Sequence, residues 1–337
     1  MSLALHQVTR VMRSVQGTHL EPLRNSILTF VGSGMDLAYV ARHSSPRLEA
    51  LHPISKLIVA QVGDPMSRWD VTNIPMFRQQ FEELLDYLPH PIFTTKSTHE
   101  SDLLDYVAYA PSVNSSPPIV FLHGGGFVLG NMSSNDTECS WLASRVHATV
   151  YSVEYPLAPE TKLPETLASV IRFLRNGPVG RESFFLWGES AGGNLAAAAL
   201  MQADDLRNQC RGMILSYPWL DLTLESGSIE RLGAGYFLTR NMLDWFRNQY
   251  LPTIQVDLRD PMISPLFGDW SSMPDIISIV GQCDPLIDDS ISLIERAPTS
   301  QLWVVPGMLH GFMQQRGISA ARMKALNWCS EFVNNHL

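Results

Sequence analysis

The stretch Gly188-Glu189-Ser190-Ala191-Gly192-Gly193 decides how the chain reads. An apolar run, Phe184–Trp187, leads into it, and an alanine-rich stretch, Ala191–Ala203, leads out. A buried strand, a tight turn and a helix are the setting in which a Gly-x-Ser-x-Gly turn lifts a serine hydroxyl clear of the backbone. The glycines have a steric reason, since a Cβ at Gly188 or Gly192 would collide with the strand and helix that meet there. The helix beginning at Ala191 aims unpaired N–H groups at the same point. Taken alone, the stretch also fits a glycine-rich turn that merely starts a helix.

On both sides of this stretch, short apolar runs alternate with helical patterns. The runs are Ile119–Leu122, Thr149–Val153, Met213–Ser216, Ile276–Val280 and Leu302–Val305, in addition to Phe184–Trp187. The helical patterns between them are Asp136–Val146, Pro164–Arg175, Leu286–Ile294 and Ala320–Val333, in addition to Ala191–Ala203. Buried strands separated by helices predict a mostly parallel central sheet covered by helices on both faces. Ile92–Lys96 and Leu103–Ala110 read as paired strands around the polar turn Ser97–Asp102. The first ninety residues read as helical. Met76–Leu88 sets Phe77, Phe81, Leu84, Leu85 and Leu88 on one face, with Pro75 at its start and Pro89 at its stop. The interval Leu220–Leu266 is too long for a simple crossover and carries a second helical pattern, Met242–Tyr250. The expectation is a helical cap made of residues 1–90 and an insertion at about 220–255, over a catalytic domain of residues 91–337.

His123-Gly124-Gly125-Gly126 follows the run Ile119–Leu122. Bare glycine amides can approach a developing oxyanion, and in acyl transfer they act with the N–H of the residue after the nucleophile, here Ala191. A phosphate-binding loop would end in Gly-Lys-Ser/Thr, whereas this one runs into Phe127-Val128-Leu129. His123 itself reads as structural. A serine nucleophile needs a base, and the base needs an orienting acid, in the chain order Ser, Asp or Glu, His. Only His310 and His336 follow Ser190; His336 is penultimate and expected to fray, so His310 is the candidate base. Asp284 is the candidate acid, just past the run Ile276–Val280, with helix N-capping as its alternative role. Asp288 and Asp289 are rivals inside the following helical pattern. Glu189 falls outside the order and reads as a supporting residue. Phe127, Trp219, Leu286 and Phe312 neighbour these motifs, as candidates either for an apolar acyl pocket or for plain core.

Composition removes other classes. The 337 residues carry 24 Lys and Arg against 33 Asp and Glu, a net charge of -9, so the basic footprint of a nucleic-acid binder is missing. The cysteines, Cys139, Cys210, Cys283 and Cys329, lie far apart without a Cys-x-x-Cys pair, which favours buried thiols over a zinc or dithiol site. No ligand cluster suggests a metal. No apolar stretch reaches a membrane span, and Met1–Leu20 lacks a signal-peptide core, so a cytoplasmic protein without stable membrane insertion is expected. Asn114-Ser-Ser, Asn131-Met-Ser and Asn135-Asp-Thr then read as loop polar residues rather than glycosylation sites.

A resemblance joins the motifs. In order, His123-Gly-Gly-Gly126, Tyr155-Pro-Leu-Ala-Pro-Glu160, Gly188-Glu-Ser-Ala-Gly-Gly193, Ser264-Pro265, Asp284-Pro-Leu-Ile-Asp288 and His310-Gly-Phe312 resemble the hormone-sensitive lipase family of α/β-hydrolases. Phe127-Val-Leu-Gly-Asn131 and Asp284–Asp289 look closest to the acetyl esterases of enteric bacteria. The resemblance implies an α/β-hydrolase fold and a serine carboxylesterase for short acyl chains, without a cofactor. It implies Ser190 as nucleophile, Asp284 as acid and His310 as base, with the oxyanion hole drawn from Gly124, Gly125, Gly126 and Ala191; which two of the three glycines donate stays open. Glu189 stands where Asp or Thr is commoner in the family. The Asp284–His310 segment looks about one helical turn short, with Arg296-Ala-Pro298 ending its helix. The expected partner is a small-molecule ester, and a homodimer stays open. The family also includes ligand receptors that depart at the catalytic histidine, which this chain keeps. An amide or drug ester as the physiological bond is a further alternative.

Overall fold

The computed structural model describes residues 51–62, 66, 69–85, 91–297, 299–314 and 320–337. Within them the apolar runs form strands because their side chains alternate between two cores. Phe184 and Leu186 enter one core, while Phe185 and Trp187 enter the other. The strands are β1 Thr95–His99, β2 Tyr106–Ala110, β3 Ile119–Leu122, β4 Val150–Val153, β5 Phe184–Glu189, β6 Cys210–Ser216, β7 Ile276–Gly281 and β8 Ser300–Val305. They make one eight-stranded sheet in the order β1-β2-β4-β3-β5-β6-β7-β8. β2 pairs antiparallel with β1 and with β4, and all the remaining pairs are parallel.

Ten helices flank or cover the sheet among the described residues: α1 Pro53–Val62, α2 Ile74–Leu85, α3 Asp136–Val146, α4 Glu165–Asn176, α5 Ala191–Gln202, α6 Asp204–Gln209, α7 Gly227–Leu232, α8 Arg240–Tyr250, α9 Ile287–Arg296 and α10 Ala320–Asn335. α4 and α5 bury Leu167, Val170, Phe173 and Leu195 on one face. On the other, α3 and α10 bury Leu142, Val146, Leu326 and Val333. A mostly parallel sheet covered on both faces by helices is a three-layer α/β architecture. α9 ends at Arg296, as Arg296-Ala-Pro298 suggests. The four cysteines are buried. Among the described residues no helix is long and apolar enough to cross a membrane.

Three local expectations shift. β1 begins at Thr95 and runs through Ser97, Thr98 and His99, where the sequence predicts a turn, while Ile92 and Phe93 stay outside it and exposed. β1 is an edge strand with every residue exposed, so no buried face imposes an alternating apolar pattern on it. The expected Met76–Leu88 helix is α2, Ile74–Leu85; Leu88 and Pro89 lie outside the described residues, as does 1–50 of the expected cap segment. His336 does not fray. Its Nε2 meets Asp275 Oδ2 at 2.9 Å and its Nδ1 meets the Phe332 carbonyl at 2.7 Å, which ties α10 to the residue before β7.

Two segments meet above the carboxyl ends of the strands. Phe77 of α2 is fully buried between Trp69 and Trp245 of α8, with ring centroids 5.4 and 5.6 Å away. Arg78, next to it, donates from Nε to the Val128 carbonyl at 2.8 Å and from Nη2 to the Ala158 carbonyl at 2.9 Å, and it pairs with Glu160. That pairing accounts for the last residue of the Tyr155–Glu160 motif. α8 is amphipathic and is capped by Thr239, whose hydroxyl accepts from the Met242 N–H at 3.2 Å.

Candidate active site

Parallel pairing brings the carboxyl ends of β3, β5, β6, β7 and β8 to one edge of the sheet. After β3 the chain crosses to β4 on one side; after β4 it returns to β5 on the other. The crevice between β3 and β5 is therefore the switch point at which open α/β sheets bind ligands. The glycine loop leaves β3 there and the Ser190 turn leaves β5.

Ser190 adopts φ 52 and ψ -115, a left-handed backbone rare for a residue with a Cβ. Its N–H donates to the Ser216 carbonyl at 2.9 Å, and its carbonyl accepts from Gly193 at 3.0 Å, so the turn is held on both sides. The steric reading of the glycines holds: a Cβ on Gly192 would lie 2.1 Å from the Leu122 oxygen, and one on Gly188 would lie 2.5 Å from the Gly192 oxygen. Ser190 Oγ lies 2.9 Å from His310 Nε2, and His310 Nδ1 lies 2.9 Å from Asp284 Oδ2. Asp284 is fully buried, and its other oxygen accepts from the Leu286 N–H at 2.8 Å. It is not the cap of α9: that position belongs to Leu286, and the helix starts at Ile287. The rival carboxylates are occupied elsewhere. Asp289 accepts from the Leu220 and Asp221 amides, and Asp288 accepts from the Ser228 amide.

His123 is buried and outside this chain of contacts. Its Nδ1–H donates to the Gly124 carbonyl at 2.8 Å, its ring stacks on Tyr155, and the Tyr155 hydroxyl donates back to the His123 carbonyl at 2.7 Å. Burial pushes its imidazole down to about 4, which leaves it neutral and suited to bracing the glycine loop.

A cavity of about 60 Å³ opens over Ser190 and His310. Gly125 and Gly126 line it; Gly124 does not, and packs against Glu189 instead. The N–H of Ala191 is the first of α5 and has no intrahelical acceptor. Of the four apolar candidates, Trp219 lines the cavity. Phe127, Leu286 and Phe312 do not: Phe127 stacks on Tyr250 at 3.8 Å behind Trp219, Phe312 packs edge-on to Tyr217, and Leu286 is core. The wall comes instead from Trp69, Phe81, Phe237, Met242 and Phe246. These were missed because a helix such as α8, with Met242, Leu243, Phe246 and Tyr250 on one face, reads as ordinary core. The length of the interval between β6 and β7 was the available signal.

Comparison with known proteins agrees with the fold. Residues 119–314, more than half of the chain, match a family model described as alpha/beta hydrolase fold. An ethyl acetate hydrolase of Pseudomonas putida is 32% identical over 233 residues, covering 65% of this chain and 73% of that protein. An acetyl esterase of Salmonella choleraesuis (strain SC-B67) is 30% identical over 220 residues, covering 61% and 68%. A hormone-sensitive lipase from a metagenome library superposes with a TM-score of 0.76 at 24% identity, over 85% of this chain and 99% of that one, a likeness of fold. The chain thus belongs to the alpha/beta hydrolase fold family, as a carboxylic ester hydrolase.

Proposed function

We propose that the chain hydrolyses short-chain acyl esters through an acyl-enzyme on Ser190. The observation that carries this reading is the continuous contact from Ser190 Oγ to His310 Nε2 and from His310 Nδ1 to Asp284 Oδ2, 2.9 Å at each step. With the ring proton on Nδ1, Nε2 accepts the Ser190 proton as Oγ attacks the ester carbonyl. Asp284, desolvated and held by the Leu286 amide, keeps that tautomer and stabilises the imidazolium that forms. The carbonyl oxygen becomes an oxyanion facing the amides of Gly125, Gly126 and Ala191. Gly125 and Gly126 are favoured as the donors over Gly124 because they line the cavity. The imidazolium returns its proton to the departing alcohol. Water, deprotonated by the same nitrogen, then attacks the acyl carbonyl and releases the acid and Ser190.

The short-chain preference rests on size. The cavity over Ser190 is about 60 Å³, against roughly 300–1,000 Å³ for sites that enclose drug-sized ligands. The ethyl acetate hydrolase and acetyl esterase among the relatives point the same way.

The test is turnover of p-nitrophenyl butyrate with labelling by a fluorophosphonate probe. Wild type should hydrolyse the ester and be labelled at Ser190, and Ser190→Ala should lose labelling and about four orders of magnitude in kcat. A Ser190→Ala variant that keeps the wild-type rate rules the mechanism out. Faster turnover of a long-chain triglyceride emulsion than of butyrate rules out the chain-length preference.

A further inference from the structure

Next to the nucleophile stands a second buried carboxyl group that the mechanism above does not use. Glu189 is 2% exposed, lines the same cavity as Ser190 and closes β5. Both of its oxygens are engaged. Oε1 accepts from the Tyr217 hydroxyl at 2.7 Å, and Oε2 accepts from Asn135 Nδ2 at 2.5 Å. Each partner leads to the segment that bears the base. The Tyr217 ring meets the His310 ring edge-on at 4.9 Å and the Phe312 ring at 5.5 Å. Asn135 Oδ1 accepts from Gln314 Nε2 at 3.4 Å.

We propose that Glu189, as a carboxylate, is a positioning residue that holds the His310–Gln314 segment in register with Ser190 through two arms, Tyr217 and Asn135–Gln314. The inference rests on the esterase reading above. A carboxylate can accept from both arms at once. A protonated acid turns one oxygen into a donor facing Asn135 Nδ2, which has only protons to offer, or facing a Tyr217 hydroxyl that must then turn round. The first case loses the Asn135 arm, and the second reverses the Tyr217 arm and loses the donation from its hydroxyl. The loss falls on His310, because that imidazole must keep its distance to Ser190 while the proton moves.

The surroundings put that switch within reach of neutral pH. Burial is the largest influence and raises the Glu189 carboxyl to about 7; the Tyr217 bond is the next influence and favours the ionised form. Glu138 of α3, itself paired with Arg322 of α10, opposes ionisation; the Asn135 bond and His310 favour it. Cys139 of α3, Tyr155 after β4 and Tyr217 after β6 also face the group, and each is held protonated by burial. His123 after β3 is neutral. The prediction is an ascending limb of the rate profile that holds a second ionisation besides that of the base.

The experiment follows p-nitrophenyl acetate hydrolysis by the full chain from about pH 5 to about pH 9, with fluorophosphonate labelling in parallel. Glu189→Gln should lower kcat about tenfold at the plateau, move KM less than about twofold, and reduce the slope of the kcat/KM limb from approaching 2 to about 1. Tyr217→Phe leaves the carboxylate but removes its best donor, so its limb should shift to higher pH with a kcat loss of about threefold. Unchanged kcat and limb in Glu189→Gln overturn the proposal. So does a kcat loss with both ionisations retained, since that is the mark of a merely structural role. If Glu189→Gln does not fold, an unshifted limb in Tyr217→Phe overturns it. Absence of wild-type labelling at Ser190 defeats the esterase reading itself, whereas equal labelling rates of wild type and Glu189→Gln defeat only this inference.

Discussion

The floor of the cavity and its wall are built on different principles. The floor comes from sheet ends: the glycine loop after β3, the Ser190 turn after β5, Asp284 after β7 and His310 after β8. Its atoms are held by short polar contacts, and a single added Cβ at Gly192 would strike backbone at 2.1 Å. The wall comes from outside the sheet, from Trp69, Phe81 of α2, and Met242 and Phe246 of α8, and is apolar. The two meet where the Phe246 ring covers Gly126, at a distance that would put a Cβ there 2.4 Å from the ring. Polar geometry with directional contacts defines which reaction is possible. On the esterase reading, the apolar surface, without directional contacts, is the part that would set which acyl groups fit, and it can change shape without altering the chemistry.

The contrast can be broken at either part. The largest effect is expected from Asp284→Asn, which keeps the shape of the floor but frees the wrong imidazole tautomer. kcat on p-nitrophenyl acetate should fall by about three to four orders of magnitude with little change in KM. A loss below about tenfold would mean that Asp284 does not orient His310.

The seam between floor and interior gives the next effect, read in stability rather than rate. Burial raises the Glu189 carboxyl from 4.5 to about 7. The folded chain thus keeps a proton that the unfolded chain releases. The resulting stabilisation is fully present below 4.5 and is lost as pH rises through about 7, a change of roughly 3 kcal/mol. Glu189→Gln has nothing to titrate there. In urea unfolding, the variant's stability relative to wild type should therefore rise by about that amount between about pH 5 and about pH 8. Parallel stability curves would show that Glu189 titrates alike in both states.

The smallest effect belongs to the wall. Phe246→Ala should raise the ratio of kcat/KM for p-nitrophenyl octanoate over acetate by about tenfold, or about 1.4 kcal/mol, while acetate turnover stays within about threefold. If acetate turnover collapses as it does in Asp284→Asn, wall and floor are one machine and the comparison fails.

The same division explains what the sequence made legible. The strand cores, the helix Asp136–Val146 and the neighbourhood of Ser190, Asp284 and His310 were readable because tight turns and buried strands demand particular residues at particular spacings. The pocket was not. Phe127, Leu286 and Phe312 are neighbours of the motif residues along the chain but lie behind the cavity surface, whereas Phe246 reaches it from an insertion. Adjacency in sequence predicts contact within one turn or strand, and the wall is assembled from segments far apart in the chain. The exposed edge strand β1 lies a few residues beyond the predicted strand because an unburied strand leaves no periodic trace. His336 was expected to fray because nothing local shows that Asp275 waits for it, 61 positions away.

The backbone at Ser190 carries a cost that the rest of the fold absorbs. A left-handed residue with a side chain sits about 1–3 kcal/mol above a relaxed one. Glycine there would relieve that cost, so a lineage under pressure for robustness alone has an easy step available to it. On the proposed mechanism Ser190→Gly would therefore exchange turnover for stability.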